Sequence, residues 1–594
     1  MKRIILSLCL AAAVIPLRGA EVPQIGNVGG RNTVSLNGEW NYIVDVQEAG
    51  YYDYRMNPTP WGFFRDAHPA TPKDLVEYDF DKSAKMTVPG DWNTQDPQLF
   101  FYEGTVWFKR NFTFHPQPGR RTLLYFGAVN YEARVWVNGK YAGYHVGGFT
   151  PFNLEVTDLL ADGDNFVIVK VDNKRHAEDV PTQIFDWWNY GGITREVLLV
   201  DTASNYIENY SLQLDREDTG LLHFQAWLDA PVEGKSVRLR IPELKVDRTV
   251  RTDAEGKVTL DLKARPQLWS PGSPKLYDVS IDLDGETMTD RIGFRTIATH
   301  GKELLLNGNP IFLKGISIHA EKPFGGGRAW SEEDARTLLG WARELGCNFV
   351  RLAHYPHSEA MVREAEEMGI LVWSEIPVYW TIAWTNPDTY ANARAQLRDM
   401  IGRDRNRAAV IIWSIANETP HSPERDVFLG NLAKEARRLD DSRLISMAME
   451  VTAASNFHNR LQDNMNEYVD VVSFNEYIGW YRDVDDAPRM TWEIPYDKPV
   501  IVSEFGGGAR YGRHGGKDER WTEEFQSNLY SQNLSMLEKI DGLAGTTPWI
   551  LKDFRSPRRV LPDIQDYYNR KGLFSDNGEK KQAFFVLKAW YENK

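Results

Sequence analysis

Cysteine and long apolar runs are scarce in this chain of 594 residues, and basic residues are fewer than acidic ones. Of its 2 cysteines, Cys9 lies in a predicted leader, so the mature chain would keep only Cys347 and form no internal disulfide. Basic residues number 69 against 83 acidic ones, and the formal charge of −14 argues against nucleic acid or an anionic membrane surface as a partner. Beyond the leader, no stretch approaches the ~20 apolar residues of a membrane span. We therefore expect no nucleic-acid partner and no membrane partner.

The N-terminal segment 1–20 has the pattern of a secretory signal peptide. Lys2 and Arg3 precede an apolar run at 4–17, and small residues follow at 19–20. Arg18 interrupts the small-x-small pattern, so the cleavage point is left open. Export together with a single buried thiol is typical of a bacterial periplasm, and we predict that location.

Two segments of β character follow the leader. Short alternating runs at 21–201 are separated by turn signals, and Asn138-Gly139 between two of them predicts a hairpin. We predict a jelly-roll-like β-sandwich for 21–201. The alternation continues over a shorter length at 202–297, which is typical of an immunoglobulin-like β-sandwich.

From residue 298 to 594 the pattern changes to strands that alternate with amphipathic helices. Ser331, followed by three acidic residues, is typical of a helix N-cap, and an apolar face follows at Leu338, Leu339, Ala342 and Leu345. Strands are predicted at 311–319, 349–355, 370–377, 410–418, 444–450, 469–477, 499–505 and 543–549. Eight strands that alternate with helices predict a C-terminal (β/α)8 TIM barrel. The predicted fold class is therefore multidomain, with two β-sandwiches followed by the barrel.

Two of the predicted barrel strands end in a glutamate. The run Ala-Val-Ile-Ile-Trp-Ser-Ile-Ala-Asn-Glu at 409–418 ends in Asn417 and Glu418, and the run at 499–504 ends in Glu504. Such apolar runs are typical of strands buried on both faces, and the C-terminal strand ends of this kind of barrel carry the chemistry. Two carboxyl groups about 5–5.5 Å apart are what a retaining glycosidase requires. We therefore predict a glycosidase, with Asn417 placed to contact a sugar hydroxyl near the reacting carbon.

The same motifs resemble those of glycoside hydrolase family 2. Trp-Ser-Ile-Ala-Asn-Glu at 413–418 is similar to the acid/base motif of that family, and Ser-Glu-Phe-Gly at 503–506 is similar to its nucleophile motif. Gly-Gly-Ile-Thr-Arg at 191–195 resembles its sugar-binding domain. The resemblance implies that Glu418 is the general acid/base, that Glu504 is the nucleophile, and that no organic cofactor is required. The sequence shows no dedicated cluster of metal ligands.

Further motifs resemble the β-glucuronidases of that family. Asn-Arg-Lys-Gly at 569–572 is similar to their Asn-x-Lys-Gly signature, which implies that Asn569 and Lys571 bind the C6 carboxylate of glucuronic acid by charge-assisted hydrogen bonds. A solvated turn is the alternative. The stretch 475–481 also resembles a glucuronidase motif, which implies sugar-site roles for Asn475, Tyr477 and Tyr481, with a tyrosine bonded to the nucleophile. An aromatic loop packed on the barrel rim is the alternative there.

Two positions depart from the glucuronidase pattern. His319 and Glu321 stand in His-Ala-Glu where those enzymes tend to have His-Glu-Asp, so Glu321 would replace the aspartate that contacts the sugar, with a longer reach. Gln565 stands where well-studied members have an arginine. Three other arginines lie nearby in sequence and are candidates to replace it: Arg555, Arg558 and Arg559.

Two more candidate sugar contacts lie at predicted strand ends. His354 matches the Ser-His-Tyr-Pro motif of the family, and it either binds a sugar hydroxyl or is a structural histidine with its partners satisfied. Trp549 is the predicted floor of the sugar pocket, with plain barrel packing as the alternative.

These inferences predict an exported, retaining exo-β-glycosidase that releases β-D-glucuronic acid from the non-reducing end of an oligosaccharide or a glucuronide conjugate. A β-galactosidase or β-galacturonidase of the same family stays open as an alternative. A non-catalytic carbohydrate-binding protein is a remote alternative, because Glu418, Glu504 and Asn417 are all present. The resemblance also leaves a homo-oligomer open.

Overall fold

The computed structural model describes residues 23–59 and 69–594. The predicted signal peptide lies outside these residues. Within the described ranges, no helix is both long enough and apolar enough to cross a membrane. Two β-sandwiches precede a closed barrel along the chain, as the sequence predicts.

The first sandwich packs a six-stranded sheet against a four-stranded sheet, both antiparallel. The six strands, in sheet order, are Lys85–Val88, Gly38–Val44, Thr105–Phe114, Gly163–Asp172, Glu132–Val137 and Lys140–Val146. The four strands are Thr33–Ser35, Val197–Ala203, Arg120–Phe126 and Phe152–Glu155. A short pair, Val129–Asn130 and Gly192–Ile193, and the short helix Trp92–Gln95 complete this region.

The hairpin predicted at Asn138-Gly139 is confirmed. Asn138 has φ 51° and Gly139 has φ 76°, and the two residues join strands Glu132–Val137 and Lys140–Val146. Positive φ at both central residues gives a turn whose twist matches that of the paired strands, which is why Asn-Gly is favoured there.

The second sandwich has a three-stranded and a four-stranded antiparallel sheet. Strand Leu221–Leu228 alternates half-buried and buried positions along its whole length, so one face enters the core between the sheets. The three-stranded sheet contains Ile207–Leu214, Leu221–Leu228 and Lys257–Lys263. The four-stranded sheet contains Val246–Arg251, Ser236–Ile241, Tyr277–Leu283 and Glu286–Ile292.

A small sheet of Ile297–His300, Glu303–Leu306 and Asn309–Pro310 leads into the barrel. The barrel closes because its first strand pairs in parallel with both the second and the eighth. All eight predicted strands are confirmed, and barrel strand four is buried at every position. In order, barrel strands one to eight are Leu313–Ile318, Phe349–Leu352, Leu371–Glu375, Val410–Asn417, Leu444–Met449, Val472–Asn475, Val500–Glu504 and Leu543–Thr546.

Helices cover most of the barrel's outer face. In the first of them, the Ser331 side chain accepts from the Asp334 backbone N–H while the Asp334 carboxylate accepts from Ser331, so the predicted N-cap is confirmed as a capping box. The predicted apolar face of this helix is buried. The barrel helices are Glu332–Glu344, Glu359–Met368, Pro387–Asp404, Pro423–Leu439, Glu523–Leu537 and Gln582–Glu592.

The connections on either side of barrel strand six differ from the predicted helical pattern. The segment after strand five contains the two short strands Thr452–Ser455 and His458–Arg460, which form a three-stranded sheet with Thr491–Glu493. It also contains one 3-10 turn, Asn464–Glu467. The segment after strand six forms the 3-10 turn Val484–Arg489, which contains Pro488. Proline removes a backbone donor and clashes with the preceding turn, so this segment has no uninterrupted run for an α-helix.

One loop of the first sandwich reaches the mouth of the barrel. Tyr190 on this loop donates to Glu321, which follows barrel strand one, across 2.8 Å. Asp186 on the same loop accepts from Ser556, which follows barrel strand eight, across 2.6 Å. The candidate site therefore has walls from two domains.

Candidate active site

The two predicted catalytic glutamates lie at the C-terminal ends of two barrel strands, at the barrel mouth. Glu504 is the last residue of barrel strand seven, and Glu418 follows the last residue of barrel strand four. Burial, followed by the negative charge of Glu504, raises the pKa of Glu418, as expected for two carboxyl groups that face one site. Strands four and seven therefore bring the pair together as the sequence predicts.

Glu504 is held by two donors. Arg351 Nη1 donates to Glu504 Oε1 across 2.7 Å, and the Tyr477 hydroxyl donates to Oε2 across 2.5 Å. Glu504 is only 3% exposed, so these bonds form in an environment where charge-assisted hydrogen bonds are strong. They hold the carboxylate in one orientation.

A second buried carboxylate holds the same arginine from the other side. Arg351 Nε and Nη2 each donate to Glu375 across 3.1 Å, and His354 Nδ1 lies 2.9 Å from Glu375 Oε1. The Trp373 indole N–H donates to Glu375 across 2.7 Å. Burial alone would raise the pKa of Glu375, but Arg351 and then His354 outweigh it and hold the pKa at about 2. Glu375 is thus a fixed negative charge that balances Arg351, the arginine that also holds the nucleophile.

Glu418 is partly exposed and has a different environment. Its Oε2 accepts from the Trp380 indole N–H across 3.0 Å. Burial, followed by the charge of Glu504, raises its pKa, while the Trp380 bond opposes the rise. A raised pKa keeps a proton on Glu418 at higher pH, as a general acid needs, whereas Glu504 has ionic partners.

Asn417 and Asn475 join the two strand ends. Asn417 Oδ1 accepts from Arg351 Nη2 across 2.7 Å and from Asn475 Nδ2 across 3.3 Å. Asn475 Oδ1 accepts from the Ser503 hydroxyl across 2.7 Å. The amide group of Asn417 is therefore oriented with its nitrogen toward Glu418, at 3.4 Å.

The ammonium of Lys571 lies among aromatic rings. Its Nζ is 4.6 Å from the ring centre of Tyr477 and 5.5 Å from that of the exposed Tyr481. In the part of the chain that the structure describes, it forms no ion pair and no hydrogen bond. Burial, followed by the charge of Arg559, lowers its pKa to about 8. A buried cation without an acceptor is a ready binding site for an anion.

Asn569 lies beside Lys571 and is oriented by Asp186. Its Nδ2 donates to Asp186 Oδ2 across 3.2 Å, and its Oδ1 accepts from the Lys571 backbone N–H across 3.2 Å. Arg559 also pairs with Asp186. Of the three arginines near Gln565, Arg559 is thus the one that reaches the Asn569 amide through a shared carboxylate.

Aromatic and imidazole rings form the inner layer of the site. Trp549 stacks on His354 at 4.8 Å and meets His319 edge-on at 5.1 Å. His319 Nδ1 lies 3.0 Å from the Tyr355 hydroxyl, and its buried Nε2 has no partner among the described residues. Burial and the neighbouring His354 hold the pKa of His319 well below its ordinary value, so its ring is neutral. A neutral ring nitrogen facing the site suits a sugar hydroxyl.

Glu321 faces the first sandwich. It accepts from the Tyr190 hydroxyl across 2.8 Å and from the Arg555 backbone N–H across 3.3 Å. Burial raises its pKa to about 7, and Lys552 limits the rise. Its predicted contact with the sugar stays a prediction.

Several residues of the site are absent from the sequence-based set. Arg351 is a charge inside the apolar strand Phe349–Leu352, and a buried charge requires a partner, so this signal was present. Asp186 and Trp187, whose ring lies 5.8 Å from that of His319 and 5.7 Å from that of His354, are on a sandwich loop, where nothing local points to the barrel. Trp380 gives only a weak signal, as one aromatic residue in a loop.

Among the described residues, 23–59 and 69–594, no group of three or more histidine, cysteine, aspartate or glutamate side chains is arranged to hold a metal ion. His354, His357 and Glu359 lie close together in sequence, but each has other partners. His354 contacts Glu375, His357 Nε2 lies 3.0 Å from the Ala353 carbonyl, and Glu359 pairs with Arg363.

The three domains of the chain each match a domain model of one known family. The model of the TIM barrel domain of glycosyl hydrolases family 2 matches residues 297–593. The sugar binding domain of that family matches 34–203, and a further domain model, described as glycosyl hydrolases family 2, matches 205–295. The chain therefore belongs to glycosyl hydrolases family 2 and is a glycoside hydrolase.

The individual relatives are named either as β-glucuronidases or as β-galacturonidases. A β-glucuronidase of Paenibacillus borealis is 28% identical over 567 residues, covering 85% of this chain and 91% of the relative. The structure of a β-glucuronidase from an uncultured Clostridium species has a TM-score of 0.80 at 28% identity, covering 95% of this chain and 98% of the other. A β-galacturonidase structure from Eisenbergiella tayi has a TM-score of 0.79 at 25% identity, covering 97% and 98%. These relatives are named for hydrolases of uronic acid glycosides.

Proposed function

We propose that this protein is a retaining exo-β-glucuronidase. The observation that carries the proposal is the unpaired, buried ammonium of Lys571 beside the Glu418 and Glu504 pair, where a sugar carboxylate would satisfy it. The names of the relatives support a uronic acid over a neutral sugar. The substrate is then an oligosaccharide or a conjugate that ends in β-D-glucuronic acid.

The first chemical step uses the two glutamates in different protonation states. Glu504, oriented by Arg351 and Tyr477, attacks the anomeric carbon while Glu418 gives its proton to the leaving oxygen. The bond between the anomeric carbon and the leaving oxygen breaks while a bond forms between that carbon and a carboxylate oxygen of Glu504. The product of this step is a covalent glycosyl ester of Glu504.

The second step reverses the roles. Glu418, now ionised, removes a proton from water, which attacks the anomeric carbon and releases Glu504. Loss of the ionised Glu504 removes one of the two causes that raise the pKa of Glu418. Two displacements at one carbon retain its configuration.

The test compares purified enzyme on p-nitrophenyl β-D-glucuronide, β-D-galacturonide and β-D-galactoside, with wild type and Lys571→Ala. We expect the glucuronide to be the best substrate, and Lys571→Ala to reduce its kcat/KM by about 10–10³-fold, as loss of a buried charge-assisted contact predicts. The galactoside rate should change far less. Lys517→Ala, an exposed lysine on a surface loop, is the matched control and should leave all three rates unchanged.

A galacturonide preference would keep the Lys571 assignment and change the sugar, because both acids have the C6 carboxylate. A galactoside preference would contradict the proposal, and Lys571 would then be a structural residue of the aromatic rim.

We also propose that the protein is exported to a bacterial periplasm, because residues 1–20 have the pattern of a signal peptide. We further propose that it forms a homo-oligomer, because members of the family often do. Cell fractionation tests the first, and light scattering of the purified protein tests the second. A cytoplasmic or a monomeric result would contradict the respective proposal.

A further inference from the structure

Trp380 contacts Glu418, the proposed general acid. Its indole N–H donates to Glu418 Oε2 across 3.0 Å, and its backbone N–H donates to the Asn417 carbonyl across 3.0 Å. A general acid must lie within hydrogen-bond distance of the leaving oxygen. The group attached to that oxygen therefore lies beside Glu418 and close to Trp380.

Trp380 is held in an uncommon backbone conformation. Its φ is 55°, in the left-handed region that bulky side chains rarely adopt, and Glu418 has φ 48°. Such conformations persist where the surrounding structure fixes them, and they are concentrated at functional sites. This backbone conformation and the two hydrogen bonds place the indole next to the acid.

The guanidinium of Arg558 lies over the Trp380 ring, with its central carbon 4.9 Å from the ring centre. Its backbone N–H donates to the Ser556 hydroxyl, which itself donates to Asp186. Arg558 is exposed, and within 23–59 and 69–594 its guanidinium forms no ion pair. The cation is therefore positioned but not neutralised.

The two neighbouring arginines are used differently. Arg559 pairs with Asp186, and the Arg555 guanidinium lies over the rings of Phe100 and Tyr568. Of these three, Arg558 is the one whose guanidinium lies over Trp380, next to Glu418, and is exposed without an ion pair among the described residues. In a chain with a formal charge of −14, a cation left without a carboxylate partner at this place favours an anion there.

We propose that Arg558, supported by Trp380, forms a leaving-group subsite that selects an anionic group on the aglycone, either a carboxylate or a sulfate ester. This inference rests on the proposed role of Glu418 as the acid that protonates the leaving oxygen. A planar guanidinium binds the two oxygens of a carboxylate or a sulfate in parallel, which gives direction as well as attraction. The natural substrate would then carry charge on both sides of the bond that is cut.

The test uses a matched pair of aryl β-D-glucuronides, 3-carboxyphenyl and 3-carbamoylphenyl, which are close in shape and differ in charge. We expect wild type to prefer the carboxylate by about fivefold in kcat/KM, the size of an exposed ion pair. Added KCl should reduce this preference, because salt screens exposed charges. Arg558→Ala should bring the ratio of the two rates to about one, and Arg558→Lys should keep part of it.

Arg216→Ala is the control, since Arg216 is exposed on a turn of the second sandwich, far in sequence from the barrel. It should keep the wild-type ratio. A wild-type ratio of one, or a ratio unchanged in Arg558→Ala, would overturn the inference.

Disaccharides in which β-glucuronic acid is linked to a uronic acid, to a sulfated sugar or to a neutral sugar separate the two anion sources. A preference for either charged disaccharide that Arg558→Ala abolishes supports the subsite and names its ligand. If the enzyme accepts another glycone, the same aryl pair built on that glycone tests Arg558 independently of the glucuronidase proposal.

Discussion

Arg351 Nη1 donates to the carboxylate of Glu504 across 2.7 Å, and both side chains are buried in the barrel. The same guanidinium donates to Glu375 and to Asn417, whose chain neighbour is Glu418. One side chain on barrel strand two therefore sets the relative position of strands three, four and seven. The arrangement makes Arg351 a positioning residue for both catalytic glutamates.

Replacing Arg351 with methionine should be costly in stability and in rate. It leaves Glu375 and Glu504 buried without their shared cation, and breaking a buried ion pair from one side costs about 3–5 kcal/mol of unfolding free energy. We expect a lower urea midpoint and a reduced kcat even under conditions where the variant is folded.

Arg336→Met is the matched control. Arg336 pairs with Glu364 on the solvent side of a barrel helix, so its loss should change neither the urea midpoint nor kcat appreciably. Equal effects of the two substitutions would show that Arg351 has no special role.

The roles of Glu418 and Glu504 are separable by chemical rescue. Glu418→Ala keeps the nucleophile, so a 2,4-dinitrophenyl glycoside should still give a burst of phenol, followed by turnover reduced about 10²–10⁴-fold. Azide should accelerate that turnover and give the β-glycosyl azide. Glu504→Ala should show no burst, and azide should give the α-product instead. The opposite pattern would exchange the two assignments.

The sequence predicts the barrel well because its signals are local. Each of the eight strands is a short apolar run, and Glu418 and Glu504 interrupt two of these runs where the strands leave the packed layer. Lys571 was predicted in another way, from the resemblance of the short stretch 569–572 to a family signature. None of these predictions requires knowledge of a distant contact.

The walls of the site were not predictable in the same way. Asp186 meets Asn569 across 383 positions of the chain, and Tyr190 meets Glu321 across 131. Such pairs depend on how a sandwich docks onto the barrel, which no periodicity encodes. The missing helix after barrel strand six has a local cause, since Pro488 is visible in the sequence.

Anion binding by Lys571 should depend on pH with a definite sign. Burial, and then Arg559, lower the pKa of Lys571 to about 8, so the free enzyme has an ammonium below about pH 8 and an amine above it. Competitive inhibition by glucuronic acid should weaken above about pH 8, with Ki rising about tenfold per pH unit. Glucose, which lacks the carboxylate, should not show this rise.

Lys571→Arg separates the charge from the lysine itself. A guanidinium stays protonated, so the rise in Ki should disappear or move to much higher pH, whatever the affinity at neutral pH. A rise above pH 8 that persists in Lys571→Arg would assign the titration to another group.

The hydrogen bond from Trp380 to Glu418 should affect the alkaline limb of the pH profile. Burial, followed by Glu504, raises the pKa of Glu418, and the indole N–H lowers it by stabilising the ionised form. Trp380→Phe removes the donor but keeps a ring under Arg558, so the pKa of Glu418 should rise further. Because Glu418 acts as an acid while protonated, the fall of kcat/KM at high pH should begin at higher pH in this variant. Trp384→Phe, which replaces a ring packed against Phe428, is the control and should leave the alkaline limb of the pH profile unchanged. An alkaline limb that moves to lower pH in Trp380→Phe would contradict the assignment of Glu418 as the acid.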